Sequence, residues 1–185
     1  MQKPVLLKEI ESGLLSDDAK LAADCAEVMT NVAMENPRLI VPFAKALLET
    51  MNHKNSKAKW EAVHSVSLIA EFIPDDISHN LSVISSLMFD DKSVIVRDYS
   101  TDIIGNFAGV GKTEAKKAYP LLREMLYKYE GKHAGHALKG LQNVVRLMPE
   151  EKNVIAGFAE EFISNKKSVV SKTARVLAKT IQGIL

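Results

Sequence analysis

Residues 91–109 read DKSVIVRDYSTDIIGNFAG, and this stretch decides the fold. It opens on Asp91 and closes on Gly109. Between them a small residue, Ser100, is followed four positions later by a large apolar one, Ile104, which puts both on one helical face. The same small–large pair recurs along the chain as Cys25/Met29, Ala62/Val66 and Ala137/Leu141, at steps of 37, 38 and 37 residues. A fifth copy, Ala174 and Leu177, lies near the expected place. The pairs sit within five helix-like segments, 17–34, 56–72, 92–109, 132–148 and 167–185. Self-similarity at such a period is the signature of a helical repeat array.

A second helix type fills the gaps. Pro4-Val5-Leu6, Pro42-Phe43-Ala44 and Pro120-Leu121-Leu122 align on the same period, and Gly157-Phe158-Ala159 continues the series with glycine in place of proline. Residues 77–88 supply the missing member as one helix without a proline. Pro42 and Pro120 lie deeper than a first turn, which predicts a bend or a late helix start at each. Asp17-Asp18, Asn55-Ser56, Pro74-Asp75-Asp76, Gly111-Lys112-Thr113, Gly131 and Pro149-Glu150-Glu151 punctuate the helices. The linkers are short, so one domain over 1–185 is expected, with hairpins near 1–34, 36–72, 76–109, 113–148 and 150–185. One amphipathic hairpin cannot bury its apolar face alone, so neighbours must stack.

Composition agrees. The 185 residues are 46% hydrophobic and only 6% aromatic, rich in the aliphatic residues that suit packed helices. The net charge of +1 hides a gradient: residues 1–90 hold 8 Lys+Arg against 13 Asp+Glu, and residues 91–185 hold 16 against 10. Cys25 has no mate in the chain and reads as a small core residue. Met1–Ile10 lacks the basic start and apolar run of a signal peptide, and no apolar run approaches the ~20 residues of a membrane span. A cytoplasmic location is the expectation.

On these residues the chain resembles the HEAT-repeat family, whose second helix reads Asp-x-x-x-Val-Arg-x-x-Ala-x-x-x-Leu-Gly. The third copy carries that pattern best, with Asp91, Val96, Arg97, Ser100, Ile104 and Gly105; the second has Lys59 at the arginine position. Copies one, four and five lack the basic residue in register, having Ala22, Ala134 and Ser171. The resemblance implies an all-α, right-handed α-solenoid of about five helical hairpins whose second helices line a concave groove. It implies a pairing of Arg97 with an acid of the adjoining repeat, for which Asp98, Asp102 and Glu61 are candidates. The motif speaks to fold rather than function.

Chemistry-bearing motifs are few. Gly109-Val110-Gly111-Lys112-Thr113 ends as a phosphate-binding loop does, but Asn106 stands where that loop needs glycine, and a helix rather than a strand precedes it. Gly109 and Gly111 read instead as a helix stop with left-handed residues, and Thr113 as the next N-cap. His133 and His136 share a helix as two partly exposed residues, short of the three or four ligands zinc requires. No catalytic, cofactor or metal set is assigned. Trp60 fits either an inter-repeat seam or a partner anchor.

With Ala62, Val66 and Ile69 facing the core, the opposite stripe holds Trp60, His64, Ser67 and Glu71. Its equivalents are Asp98, Asp102 and Gly105, then Gly135, Lys139, Gln142 and Arg146, then Lys172 and Lys179. This stripe is the candidate partner-binding groove. The expected function is a non-catalytic scaffold taking a protein or peptide partner. The alternative is nucleic-acid binding by the basic C-terminal half. More remote are DNA-alkylation-repair glycosylases and bilin-acting lyases, some of which are similar to such solenoids. The sequence leaves the partner and the oligomeric state open.

Overall fold

Helix starts follow local chemistry. The computed structural model describes residues 3–184. Helix α1 (Lys3–Leu14) leads through a short turn to α2 (Ala19–Glu35), where Asp18 caps the free N–H groups of Lys20 and Leu21. After two 3₁₀ turns come α3 (Ala44–Thr50) and α4 (Ser56–Ile69), the latter capped by Asn55 on the Ala58 N–H. Then follow α5 (Pro74–His79), α6 (Leu81–Asp90) and α7 (Val94–Phe107). The C-terminal part holds α8 (Lys112–Met125), α9 (Ala134–Leu147), α10 (Lys152–Ile163) and α11 (Ser168–Gln182). Among the described residues there is no strand, and no helix is long and apolar enough to cross a membrane.

The chain divides into two compact units, Met1–Ile103 and Ile104–Leu185. Within the first, α1 packs on α2 and α3 on α4, while α2 lies directly against α4. Within the second, α8 packs on α9 and α10 on α11, while α9 lies against α11. The order is the same in both: each first helix covers its own second helix, and second helices stack on one another. Burying one Leu or Ile side chain in such a seam is worth about 1.5–3 kcal/mol, so the repeat is held by its neighbour.

The periodic pairs are the core. Cys25, Met29, Ala62, Val66, Ser100, Ile104, Ala137, Leu141, Ala174 and Leu177 are all buried. The small members let backbones approach, most closely at Gly105 and Gly140, where an added Cβ on Gly140 would lie 2.8 Å from the Gly105 Cα.

Several local expectations are corrected. Residues 77–88 form two helices rather than one, broken at Asn80 between α5 and α6. Pro42 sits in a 3₁₀ turn, so α3 starts late as expected, whereas a late start is ruled out at Pro120, which lies inside α8 (Lys112–Met125). Neither Gly109 nor Gly111 is left-handed: Gly111 is extended (φ −174°) and is itself the N-cap of α8, displacing Thr113. The left-handed turn lies elsewhere, at Tyr129, Glu130 and Gly131 (φ 53°, 57° and 70°). Two non-glycine residues there cost about 1–2 kcal/mol each. The Tyr129 ring meets His133 edge-on at 5.5 Å; His133 is fully buried, contrary to expectation, while His136 is partly exposed as expected. The Pro4-Val5 copy of the first-helix motif lies outside the described side chains, as Met1, Gln2 and Leu185 lie outside the described residues.

Candidate functional site

The seam between α2 and α4 carries a buried polar cluster. Thr30 Oγ1 lies 3.2 Å from the Ala26 carbonyl, 3.0 Å from the Glu61 carbonyl and 3.0 Å from Ser65 Oγ. Glu61 is buried beside it, and burial pushes its carboxyl up, with Glu27 adding to the rise while Thr30 and Lys57 oppose it. Lys57 reaches across the seam to Glu27 at 2.7 Å. These contacts align α2 on α4 and so set the direction of the residues on the outer edge of α4.

That edge presents Trp60 and His64, one helical turn apart and both half-buried. The His64 ring stacks on Tyr99 of α7 with centroids 3.9 Å apart and planes 8° from parallel. Asp98 and Asp102, one turn apart on α7 and half-buried, flank the stacked pair. Burial holds the His64 imidazole below its ordinary value against the opposing pull of Asp102, and burial, Asp102, Glu61 and Asp98 together raise the Tyr99 phenol. The first unit therefore brings Trp60, His64, Asp98 and Asp102 together, and it adds Tyr99, which the stripe had omitted. Tyr99 stands one residue from Asp98 and one from the core position Ser100; only the α4–α7 crossing turns its ring onto His64. Glu71 is exposed in the 3₁₀ turn Ala70–Phe72 that follows α4.

Ser67 does not belong to this surface: it is buried, and its hydroxyl donates back to the His64 carbonyl at 2.7 Å. Gly105 is also buried, because the close approach to Gly140 closes over it. Arg97 is buried with Nη1 donating to the Asp91 carbonyl at 2.6 Å. The Asp91 carboxylate in turn takes Lys59 of the preceding repeat at 3.0 Å. Lys59, at the arginine position of the second copy, is thus tied to the first residue of the third copy's motif.

The second unit carries the basic members. Lys139 and Arg146 are exposed two turns apart on α9, with Gln142 half-buried between them; Lys172 and Lys179 are exposed two turns apart on α11. Asn143 Nδ2 donates to the Gly105 carbonyl at 2.9 Å, and Arg146 Nη1 lies 3.4 Å from Asn143 Oδ1. Among the described residues, no three His, Cys, Asp or Glu side chains gather as a metal site. Cys25 is buried, and burial together with Asp24 pushes its thiol up, away from the reactive thiolate.

Solved structures repeat this architecture across nearly the whole chain. A computationally designed armadillo repeat protein for modular peptide recognition superposes with a TM-score of 0.74 at 18% identity, covering 94% of this chain and 81% of that one. The chain has the armadillo/HEAT-type helical-repeat fold. A designed armadillo repeat protein in complex with the peptide (KR)4 matches equally well, at TM-score 0.74 and 18% identity over 97% of this chain and 84% of that one. The complex of CpcE and CpcF of phycocyanin lyase from Nostoc sp. matches at TM-score 0.65 and 18% identity, over 94% and 98% of the two chains. At these identities the likeness concerns the fold. No protein-family model matches the chain, and no curated protein matches it in sequence.

Proposed function

We propose that this chain is a non-catalytic scaffold whose second-helix faces take an extended segment of a protein partner, with basic residues of that segment lying against the first unit. The carrying observation is the half-buried row of Trp60, His64 stacked on Tyr99, Asp98 and Asp102, where the outer ring faces and two carboxylates lie on neighbouring helices. Such ring faces suit alkyl stems and guanidinium planes, and the carboxylates suit their charged ends. Armadillo-type neighbours described as recognising peptides, one of them holding (KR)4, support the reading. Trp60 is the single tryptophan, so its fluorescence reports occupancy of this row. Titration with an alternating Lys-Arg octapeptide is expected to shift that emission, and Asp98→Asn/Asp102→Asn to weaken binding about tenfold, or 1.4 kcal/mol. Equal binding of an Asp-Glu octapeptide, or no loss in the double variant, would overturn it.

A second reading rests on the second unit, where Lys116, Lys117, Lys166, Lys167, Lys172, Arg175 and Lys179 are exposed. Such a surface suits phosphate backbones, whose binding falls steeply with salt through counterion release. A single-stranded oligonucleotide titrated at two salt concentrations separates the two readings.

A further inference from the structure

The first hairpin leaves open a face that every later contact of its kind closes. An apolar cleft of about 350 Å³ lies between α1 and α2, lined by Leu6, Leu7, Ile10, Val28, Val32 and Leu39, with Glu9 and Glu35 on its rim. Val28 and Val32 stand 37 residues before Ser65 and Ile69. Those two are fully buried, Ser65 directly against Thr30 of α2. The α2 face carrying Val28 and Val32 is therefore a repeat-stacking face, yet Leu6 is 58% and Val28 40% exposed.

At the other end of the chain, α11 carries a matching stripe. Val169, Lys172, Val176 and Lys179 follow one another at helical spacing on one face, and the two valines are 68% and 49% exposed. Apolar and basic residues alternate there, where the cleft offers an apolar floor between two glutamates. The charge of the two units points the same way. Residues to Ile103 hold 10 Lys+Arg against 16 Asp+Glu, a net −6, while those from Ile104 hold 14 against 7, a net +7.

We infer that the occupant of the cleft is α11 of a second copy of this chain. Val169 and Val176 enter the apolar floor, and Lys172 and Lys179 meet Glu9 and Glu35. Pairing of two clefts face to face is disfavoured, because it would set acidic rims against each other. The contact joins two different surfaces, so it is heterologous and links copies head to tail, into closed rings or open chains. As an association between copies it depends on protein concentration.

Sedimentation velocity over a concentration series tests this. The wild-type weight-average mass is expected to rise past twice the 20.4 kDa of one chain, more at low salt than at high. Val28→Glu, Lys172→Glu/Lys179→Glu and Glu9→Lys/Glu35→Lys should each stay at the mass of one chain. Mixing the two charge-reversed variants should restore association, since each then offers the other complementary ends. The substituted charges are exposed, and unchanged circular dichroism melting of each variant confirms its fold. A wild type that stays at one chain's mass throughout, association that survives all three variants, or mixed variants that remain separate would each overturn the inference.

Discussion

His64 sits where packing and charge disagree. Its ring is held against Tyr99, burial favours the neutral imidazole, and Asp102 pulls the other way. A base whose pKa is lower folded than unfolded contributes stability that is present above its ordinary 6.5 and is lost as pH falls through the lower folded value. The imidazole resonances are therefore expected to titrate with a midpoint below 6.5, and Asp102→Asn, which removes the opposing carboxylate, should lower that midpoint further. An upward move would mean that Asp102 does not act on His64. Ser100 makes a different point at the same scale. Its hydroxyl is buried without a hydrogen-bond partner among the described residues, at a position where other copies have Cys25, Ala62, Ala137 and Ala174. Small size is what that position requires, and the hydroxyl adds nothing to the packing.

Helix contacts turn on how close two backbones can come. Gly105 of α7 and Gly140 of α9 meet with no side chain between them, and an alanine methyl at 140 would also lie 2.9 Å from both Leu122 methyls. Backbone cannot yield as a flexible side chain can, so Gly140→Ala should lower stability by about 1–3 kcal/mol. Gly157 in α10 offers the contrast. Nothing lies within 4 Å of its would-be Cβ, so Gly157→Ala relieves the helix of glycine's entropy and should raise stability by about 0.5–1 kcal/mol. Denaturant unfolding of the two variants is expected to give shifts of opposite sign; shifts of the same sign would remove the close-packing account of α7 on α9. The exposed ion pair of Lys112 with Glu150 at 2.6 Å belongs to this scale too, but screening leaves such pairs worth little.

For the molecule as a whole, the charge gradient places opposite fields on the two units. Lys139 and Arg146 lie exposed on the basic one, away from the buried pairs that hold the repeats. On the second reading proposed above, Lys139→Glu/Arg146→Glu weakens binding of an oligonucleotide probe and flattens its salt dependence. Melting should move by no more than about 0.5 kcal/mol's worth of stability. Anisotropy titrations at two salt concentrations check this, and an unchanged slope would take both residues off the binding surface.

The sequence by itself determined the all-helical class, the 37–38-residue period and the burial of the small–large pairs, because a repeat that must stack to hide its apolar face writes such a pair into each copy. It also set Trp60, His64, Asp98 and Asp102 opposite that pair, and all four are half-buried rather than core. What it did not show depends on contacts between residues far apart in the chain. Tyr99 meets His64 only through the crossing of α4 and α7, Asp91 binds Lys59 only because the two copies are packed together, and Gly105 is lost to the surface only because α9 comes so near. The left-handed turn at Tyr129–Gly131 is of the same kind, since a lone glycine marks it in sequence while the packing of Tyr129 on His133 accompanies it in the fold. Periodicity tells which way a side chain faces along its own helix; only the neighbouring helix decides whether that direction ends in solvent, in another backbone or on a ring.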